Sequence, residues 1–158
     1  MKRLCVIALL LVVYTSAGLS SSSSSPYRKW GLGIVVGAPS GFSLKYWQSS
    51  RVAYPGSIGG MWGGGLMIGA DYLVHENALR DPSLPFYYGP GIFIGDAGFG
   101  GPNYSRSNLA LGIRAAFGVD YIVRDHPFDI ALELGPALLL TPVLGMGIEL
   151  SISLRFYP

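Results

Sequence analysis

The chain has 158 residues, one domain's worth, and it is apolar for a protein that stays in water: mean hydropathy is +0.41 and only 13% of residues are charged. Its 23 glycines are about double the average usage of ~7%, so the chain needs either a large buried surface or a lipid-facing one. Eleven Lys and Arg against nine Asp and Glu give a net charge of +2 with no basic stripe, which argues against nucleic acid as a partner.

Met1-Lys2-Arg3 is a basic start, Leu4 to Val13 an apolar run of ten, and Thr15-Ser16-Ala17 a set of small residues suited to a signal peptidase. This pattern predicts a secretory signal peptide over residues 1–17, cut after Ala17; the run is too short for a comfortable membrane span. The alternative is an uncleaved N-terminal anchor. A lipoprotein is disfavoured because the only cysteine, Cys5, lies inside the apolar run. The mature chain then has no cysteine for disulfide or thiolate chemistry, and loss of Lys2 and Arg3 leaves nine basic against nine acidic side chains. Ser20 to Ser25 followed by Pro26 cannot bury apolar surface, so residues 18–29 read as a flexible serine-rich leader and residues 30–158 as the folded domain.

Beyond the signal no run of 18 apolar residues occurs, and glycine and proline interrupt every window long enough for a helix. Alternation with period two takes over. Gly31 to Gly37 and Phe42 to Trp47 form a predicted hairpin around Pro39-Ser40-Gly41, with Leu32, Ile34, Val36, Phe42, Leu44 and Tyr46 on its apolar face. Ser57 to Trp62 is the weakest strand, its alternation diluted by glycine. From Leu66 to His75, the set Leu66, Ile68, Ala70, Tyr72 and Val74 opposes Met67, Gly69, Asp71, Leu73 and His75. Phe86 to Ile94, Asn108 to Tyr121 and Phe128 to Leu140 repeat the pattern. The last strand is the clearest, with Met146, Ile148, Leu150, Ile152, Leu154 and Phe156 opposite Gly147, Glu149, Ser151, Ser153, Arg155 and Tyr157. Ten or more alternating residues is the length that crosses a bilayer at a tilt of roughly 45°. Counting the shorter segments with the long ones, eight alternating stretches predict an all-β fold: an eight-stranded antiparallel up-and-down transmembrane β-barrel with both termini on one side.

The polar faces are mostly glycine, alanine and serine with isolated charges, unlike a solvated sheet face. They suit the crowded centre of a narrow barrel, so the apolar faces are expected to point outward to lipid. An aromatic girdle of Trp30, Trp47, Trp62, Tyr72, Tyr88, Tyr121, Phe128 and Phe156 collects near strand ends. The competing arrangement is a soluble lipocalin-like carrier, with the apolar faces turned inward around a ligand.

The stretch from Gly31 through Ala38-Pro39-Ser40-Gly41 to Trp47 resembles the opening hairpin of small OmpA-like and OmpW-like outer-membrane barrels, and Ala70 to His75, Gly112 to Arg114, Gly118 to Tyr121 and Phe128 to Pro142 are similar to the same group. The likeness spans roughly Trp30 to Tyr157 on loose, glycine-rich motifs. It implies a cell outer membrane location of the Gram-negative type, with outer-membrane lipid and the barrel-assembly machinery as partners. Such barrels usually end on an aromatic residue, whereas here Phe156-Tyr157 is followed by Pro158.

The polar faces carry Lys45, Asp71, Arg114, Asp120, Asp129, Glu133, Glu149 and Arg155. Gathered in a lumen they must pair or draw in water; Arg114 and Arg155 are expected among Glu133, Glu149 and Asp120, with Lys45 nearby. A stabilising ion-pair plug is favoured over a gated conduit, because eight strands enclose only enough width for side chains. The expected role is therefore structural or surface-interacting, with no catalytic site, cofactor or metal. The alternative is a porin-like narrow channel for small, hydrophobic solutes. His75 with Asp71 lacks a third ligand for a metal. Ser40 or Ser43 with His75 is no recognisable constellation for a lipid-modifying barrel enzyme. Residues 96–107 form the main surface loop if the N-terminus is periplasmic, and Phe99 and Tyr104 there are the candidates for touching an extracellular ligand.

Overall fold

A computed structural model describes residues 29–60, 65–77, 81, 83–96, 109–123, 126–142 and 144–158. The expected signal peptide, the leader up to residue 28, Trp62 and residues 97–107 lie outside the described residues. The described chain is all β: β1 (Trp30–Gly37), β2 (Ser40–Trp47), β3 (Val52–Gly60), β4 (Leu66–Asp71), β5 (Leu73–Glu76), β6 (Phe86–Asp96), β7 (Leu109–Val123), β8 (Phe128–Thr141) and β9 (Gly145–Phe156).

Each strand pairs antiparallel with its sequence neighbour, and β9 returns to β1 through Leu32↔Phe156 to Gly37↔Ser151, closing the sheet. β4 and β5 are two halves of one crossing, since both pair with β3 and with β6 in continuous register. They part at Tyr72 because Pro90, opposite, offers no N–H; the Tyr72 N–H still donates to Pro90 O at 2.9 Å. Nine segments therefore make a closed eight-stranded antiparallel barrel. β3 begins five residues before the expected Ser57, because Pro55 and Gly56 hide its alternation while Lys45↔Pro55 and Leu44↔Gly56 keep the pairing.

One end of the barrel, here the terminal end, holds the starts of β1 and β3 and the end of β9. The opposite, turn end holds the tight β1–β2 connection. Gly37 there has φ of 133°, a conformation glycine adopts without strain. Its N–H donates to Ser40 Oγ (2.9 Å), which donates back to Gly37 O (2.7 Å).

The period-two faces sort as expected, apolar out and small or charged in. Leu32, Ile34, Phe42, Ile68, Ile92, Ile113, Leu132, Leu150 and Ile152 are exposed, while Lys45, Asp120, Ser153 and Arg155 are buried. Inside, bulk is uneven. Met67, Phe93 and Leu139 fill the turn end with Ala110 and Ala137; Leu73 and Tyr87 pack on Ala116 and Ala131; Trp47, Ala53 and Tyr157 close the terminal end. The wall of β1, β2 and β9 turns smaller groups inward, among them Gly33, Val35, Ser43, Ser151 and Ser153.

The large inward rings lie over glycines. A Cβ on Gly118 would sit 2.4 Å from Tyr87 Cζ and from the Leu132 carbonyl oxygen, and one on Gly112 would sit 2.1 Å from Phe93 Cζ. On the outward-facing Gly56 the nearest atom would be 3.6 Å away. Gly118→Ala is expected to lower stability by about 1–3 kcal/mol through overpacking, whereas Gly56→Ala stays neutral or gains a few tenths of a kcal/mol from reduced unfolded-state entropy. Urea unfolding midpoints of the two variants check this; equal midpoints would remove the proposed role of Gly118 as the seat of Tyr87.

Candidate functional site

Alternation turns every second residue inward, and among the described residues that residue is charged at eight places. Lys45 on β2, Asp71 on β4, Arg114 and Asp120 on β7, Asp129 and Glu133 on β8, and Glu149 and Arg155 on β9 are all buried within the barrel. They form two groups at different heights.

The first centres on Arg114. Its guanidinium is bidentate to Asp71, with Nε to Oδ1 at 2.7 Å and Nη2 to Oδ2 at 2.5 Å. It reaches Glu149 Oε2 at 2.5 Å through Nη1 and Glu133 Oε1 at 3.2 Å through Nη2. The fork geometry of Arg allows one cation to tie β4, β8 and β9 to β7 across the interior. Glu133 also accepts from the Tyr87 hydroxyl at 3.0 Å.

The second lies nearer the terminal end. Lys45 Nζ donates to Asp120 Oδ2, spanning between strands on opposite sides of the ring, and lies 3.6 Å from Asp129 Oδ2. The ammonium sits 4.4 Å from the Trp47 ring centroid and 5.7 Å from that of Tyr87, so aromatic faces replace part of its lost hydration. Arg155 approaches Asp129 Oδ1 (3.4 Å) and Asp120 Oδ1 (3.8 Å) and donates to Ser43 Oγ at 3.0 Å. The Tyr157 hydroxyl donates to Asp129 Oδ2 at 2.5 Å and accepts from Trp47 Nε1 at 3.1 Å. His75 Nε2 is 2.8 Å from Asp120 Oδ2, its ring 4.4 Å from Trp47 and 5.2 Å from Tyr87.

Some sequence expectations change. Trp47 is not a girdle residue: it is 2% exposed and points inward, because it shares parity with Ser43 and Lys45. His75 meets Asp120 rather than Asp71, since Asp71 is engaged by Arg114. Lys45, expected nearby, reaches across the ring to Asp120. Ser40 is committed to the β1–β2 turn and Ser43 to Arg155, so neither is paired with His75. Arg114 meets Glu133 and Glu149, whereas Arg155 is paired with Asp129 and Asp120. Sequence reasoning missed Tyr87, Tyr157 and Trp47 as members of the network. Their signal was an inward parity combined with a polar tip that needs a partner when buried.

Of the remaining girdle residues, Trp30, Tyr88, Tyr121, Phe128 and Phe156 are exposed and Tyr72 is half-buried. Among the described residues, no group of three or more His, Cys, Asp or Glu side chains is arranged to hold a metal ion. The fold and site define an all-β closed barrel with a buried, paired charge network. Comparison with protein-family models, curated proteins and solved structures gives no match.

Arg114→Met would leave Asp71, Glu133 and Glu149 without their shared cation and is expected to cost about 3–5 kcal/mol. Adding Asp71→Asn should restore part of the loss, with a coupling of about 0.5–3 kcal/mol. A double-mutant cycle by urea unfolding measures it; strictly additive single effects would mean that the Arg114–Asp71 contact carries no energy.

Proposed function

We propose that this protein is an integral outer-membrane β-barrel with a structural or surface-interaction role, exported by a cleaved signal peptide and plugged by its interior ion pairs. One observation carries the reading: the barrel is inside out for a protein in water. Leu, Ile, Val and Phe side chains are exposed around the whole circumference, from Leu32 on β1 through Ile58, Ile92, Ile113 and Leu132 to Leu154 on β9. Soluble monomers rarely expose contiguous apolar surface beyond a few hundred Å², and the charged groups that would keep a soluble barrel in solution face inward.

The apolar band has a membrane's height. On β7 it runs from Leu109 to Tyr121, roughly 40 Å of strand and roughly 28 Å when tilted near 45°. Aromatic rings gather around the terminal end: Trp30 lies 4.6 Å from Tyr46, Tyr54 5.5 Å from Tyr72, and Phe128 5.1 Å from Phe156. Amphipathic rings at one level suit a headgroup boundary. In this reading the partners are outer-membrane lipid, the barrel-assembly machinery and, through residues 96–107, an extracellular ligand. A path for solutes would have to pass the Arg114 group, whose three carboxylates hold it from three strands; this favours the plug over the narrow channel.

Ile152→Arg separates lipid from water at the outer face. In a bilayer an outward Arg near mid-belt is expected to cost about 2–4 kcal/mol, reducing folding into phospholipid vesicles and loss of the heat-modifiable gel form. An unchanged or more stable variant, with the wild type monomeric in detergent-free buffer, would sink the membrane reading. Planar-bilayer recording of the wild type should give no steady open current, and surface proteolysis of fractionated cells checks location.

A further inference from the structure

The two neighbours of β9 differ in height. β9 pairs with β8 along its whole length, from Leu139↔Gly145 to Phe128↔Phe156. It pairs with β1 only from Gly37↔Ser151 onward, with one further bond from the Ala38 N–H to Leu150 O at 2.9 Å. Beyond that point the chain has turned into β2, so among the described residues Gly145 to Ile148 have a paired strand on one side only. In an antiparallel sheet the N–H and C=O of one residue leave the strand on the same side, and that side alternates along the chain. Leu150 faces β1, so Ile148 and Met146 turn their main-chain groups the same way, where none of the described strands pairs with them. Their side chains, 89% exposed at Met146 and 76% at Ile148, are the barest large apolar groups among the described residues.

On the membrane reading, on which this site rests, the open edge lies inside the apolar band. Met146 shares a hydrogen-bonded row with Leu138 and with Ile113 of β7. Lipid offers no hydrogen bonds, and a spanning sheet does not leave an edge open there. Next to the edge, on the inward face, a charged group also has an empty position. Asp71, Glu133 and Glu149 share the Arg114 guanidinium, and Glu149 Oε1 is buried without a hydrogen-bond partner among the described residues. The neighbouring inward residue of β9 is Gly147, which puts no side chain between the open edge and Glu149.

We propose that the Gly145–Ile148 edge of β9 is a docking site for an extended segment of a different polypeptide, added to the sheet as a strand, with aliphatic side chains toward lipid and a Lys or Arg between them toward the bore. Its main chain pairs with Met146 and Ile148. Its aliphatic residues continue the outer face, and its basic side chain, opposite Gly147, stands diagonal to Glu149 and supplies the partner that Oε1 lacks. An acidic segment would add to three carboxylates sharing one cation. The same edge of a second barrel runs in the wrong direction. Two copies inserted in the same sense are related by an axis along the membrane normal, which crosses strands tilted by about 45° at roughly a right angle.

Fluorescence anisotropy of a labelled peptide, acetyl-Val-Lys-Ile-Ser-Val-amide, titrated with the wild-type barrel in lipid nanodiscs tests the site. The peptide should bind, and the Met146 and Ile148 amide NMR signals should shift while those of β3 stay in place. Exchanging its Lys for Glu, or N-methylating its three aliphatic residues, should weaken binding by about tenfold or more. Glu149→Gln should also weaken it by about tenfold. Where that variant does not fold, Ile148→Pro, which removes one N–H from the open side of an edge strand, supplies the same comparison. No binding by a barrel that inserts into phospholipid vesicles would overturn the docking site alone, whereas a chain monomeric in detergent-free buffer would remove the membrane reading with it. Equal binding of the Lys and Glu peptides would overturn the proposal, as would a dimer in detergent that the peptide disperses, which would give the edge to a second copy.

Discussion

Eight strands close around a space only wide enough for side chains, and the interior is organised by having to fill that space with groups that satisfy one another. An inward position is therefore small, or a ring seated over a glycine, or a charge met by a countercharge. Tyr87 over Gly118 and Phe93 over Gly112 are examples of the second solution, and Lys45 with Asp120 of the third. The solutions are linked. Because Gly118 lets Tyr87 lie flat across the neighbouring strand, the Tyr87 hydroxyl reaches Glu133, and its ring stands beside both His75 and the Lys45 ammonium.

Buried ion pairs are weak evidence for stability, because desolvation offsets much of the attraction. Their stronger consequence here is register. A one-residue slip in a strand moves its inward set to the outer face, so a slip of β2 would expose Lys45 among the apolar residues and leave Asp120 facing an empty position. The outward face cannot exert this control, since most of its residues are interchangeable aliphatics. A tight closure in which Leu32 must meet Phe156 while Lys45 reaches Asp120 is thus specified from within.

Alternation made the strands and their two faces legible, because period two depends only on the chain itself. It supplied Asp71, Glu133 and Arg155 as inward residues before any contact was known. It did not supply the partners. Asp71 and Arg114 lie on strands that are not neighbours, and whether their side chains meet depends on strand tilt and stagger, which no local pattern encodes. Trp47 is a different case. Its inward direction is implicit in the alternation that puts Phe42, Leu44 and Tyr46 outside, whereas its residue type by itself points to a membrane boundary. Proline concealed two further features: Pro55 the true start of β3, and Pro90 the interruption opposite Tyr72.

The two walls of the barrel differ in height and in bulk, and the differences reinforce each other. β7, β8 and β9 are 15, 14 and 12 residues long, against eight each for β1 and β2. Among the described residues the tall wall also supplies six of the eight buried charges, while β1 supplies none. A fixed cross-section filled from one side leaves its remaining space toward the other, where Val35 on β1, Ser43 on β2 and Ser57 on β3 border a small cavity. Opening a continuous path from that space to the terminal end would require displacing Arg114 from partners on three strands and Lys45 from the opposite wall. Each step would strip buried charges of partners that compensate them. On the proposed membrane reading, such a barrel meets other molecules at its lipid face and its exposed loops, and its bore serves to hold the sheet closed.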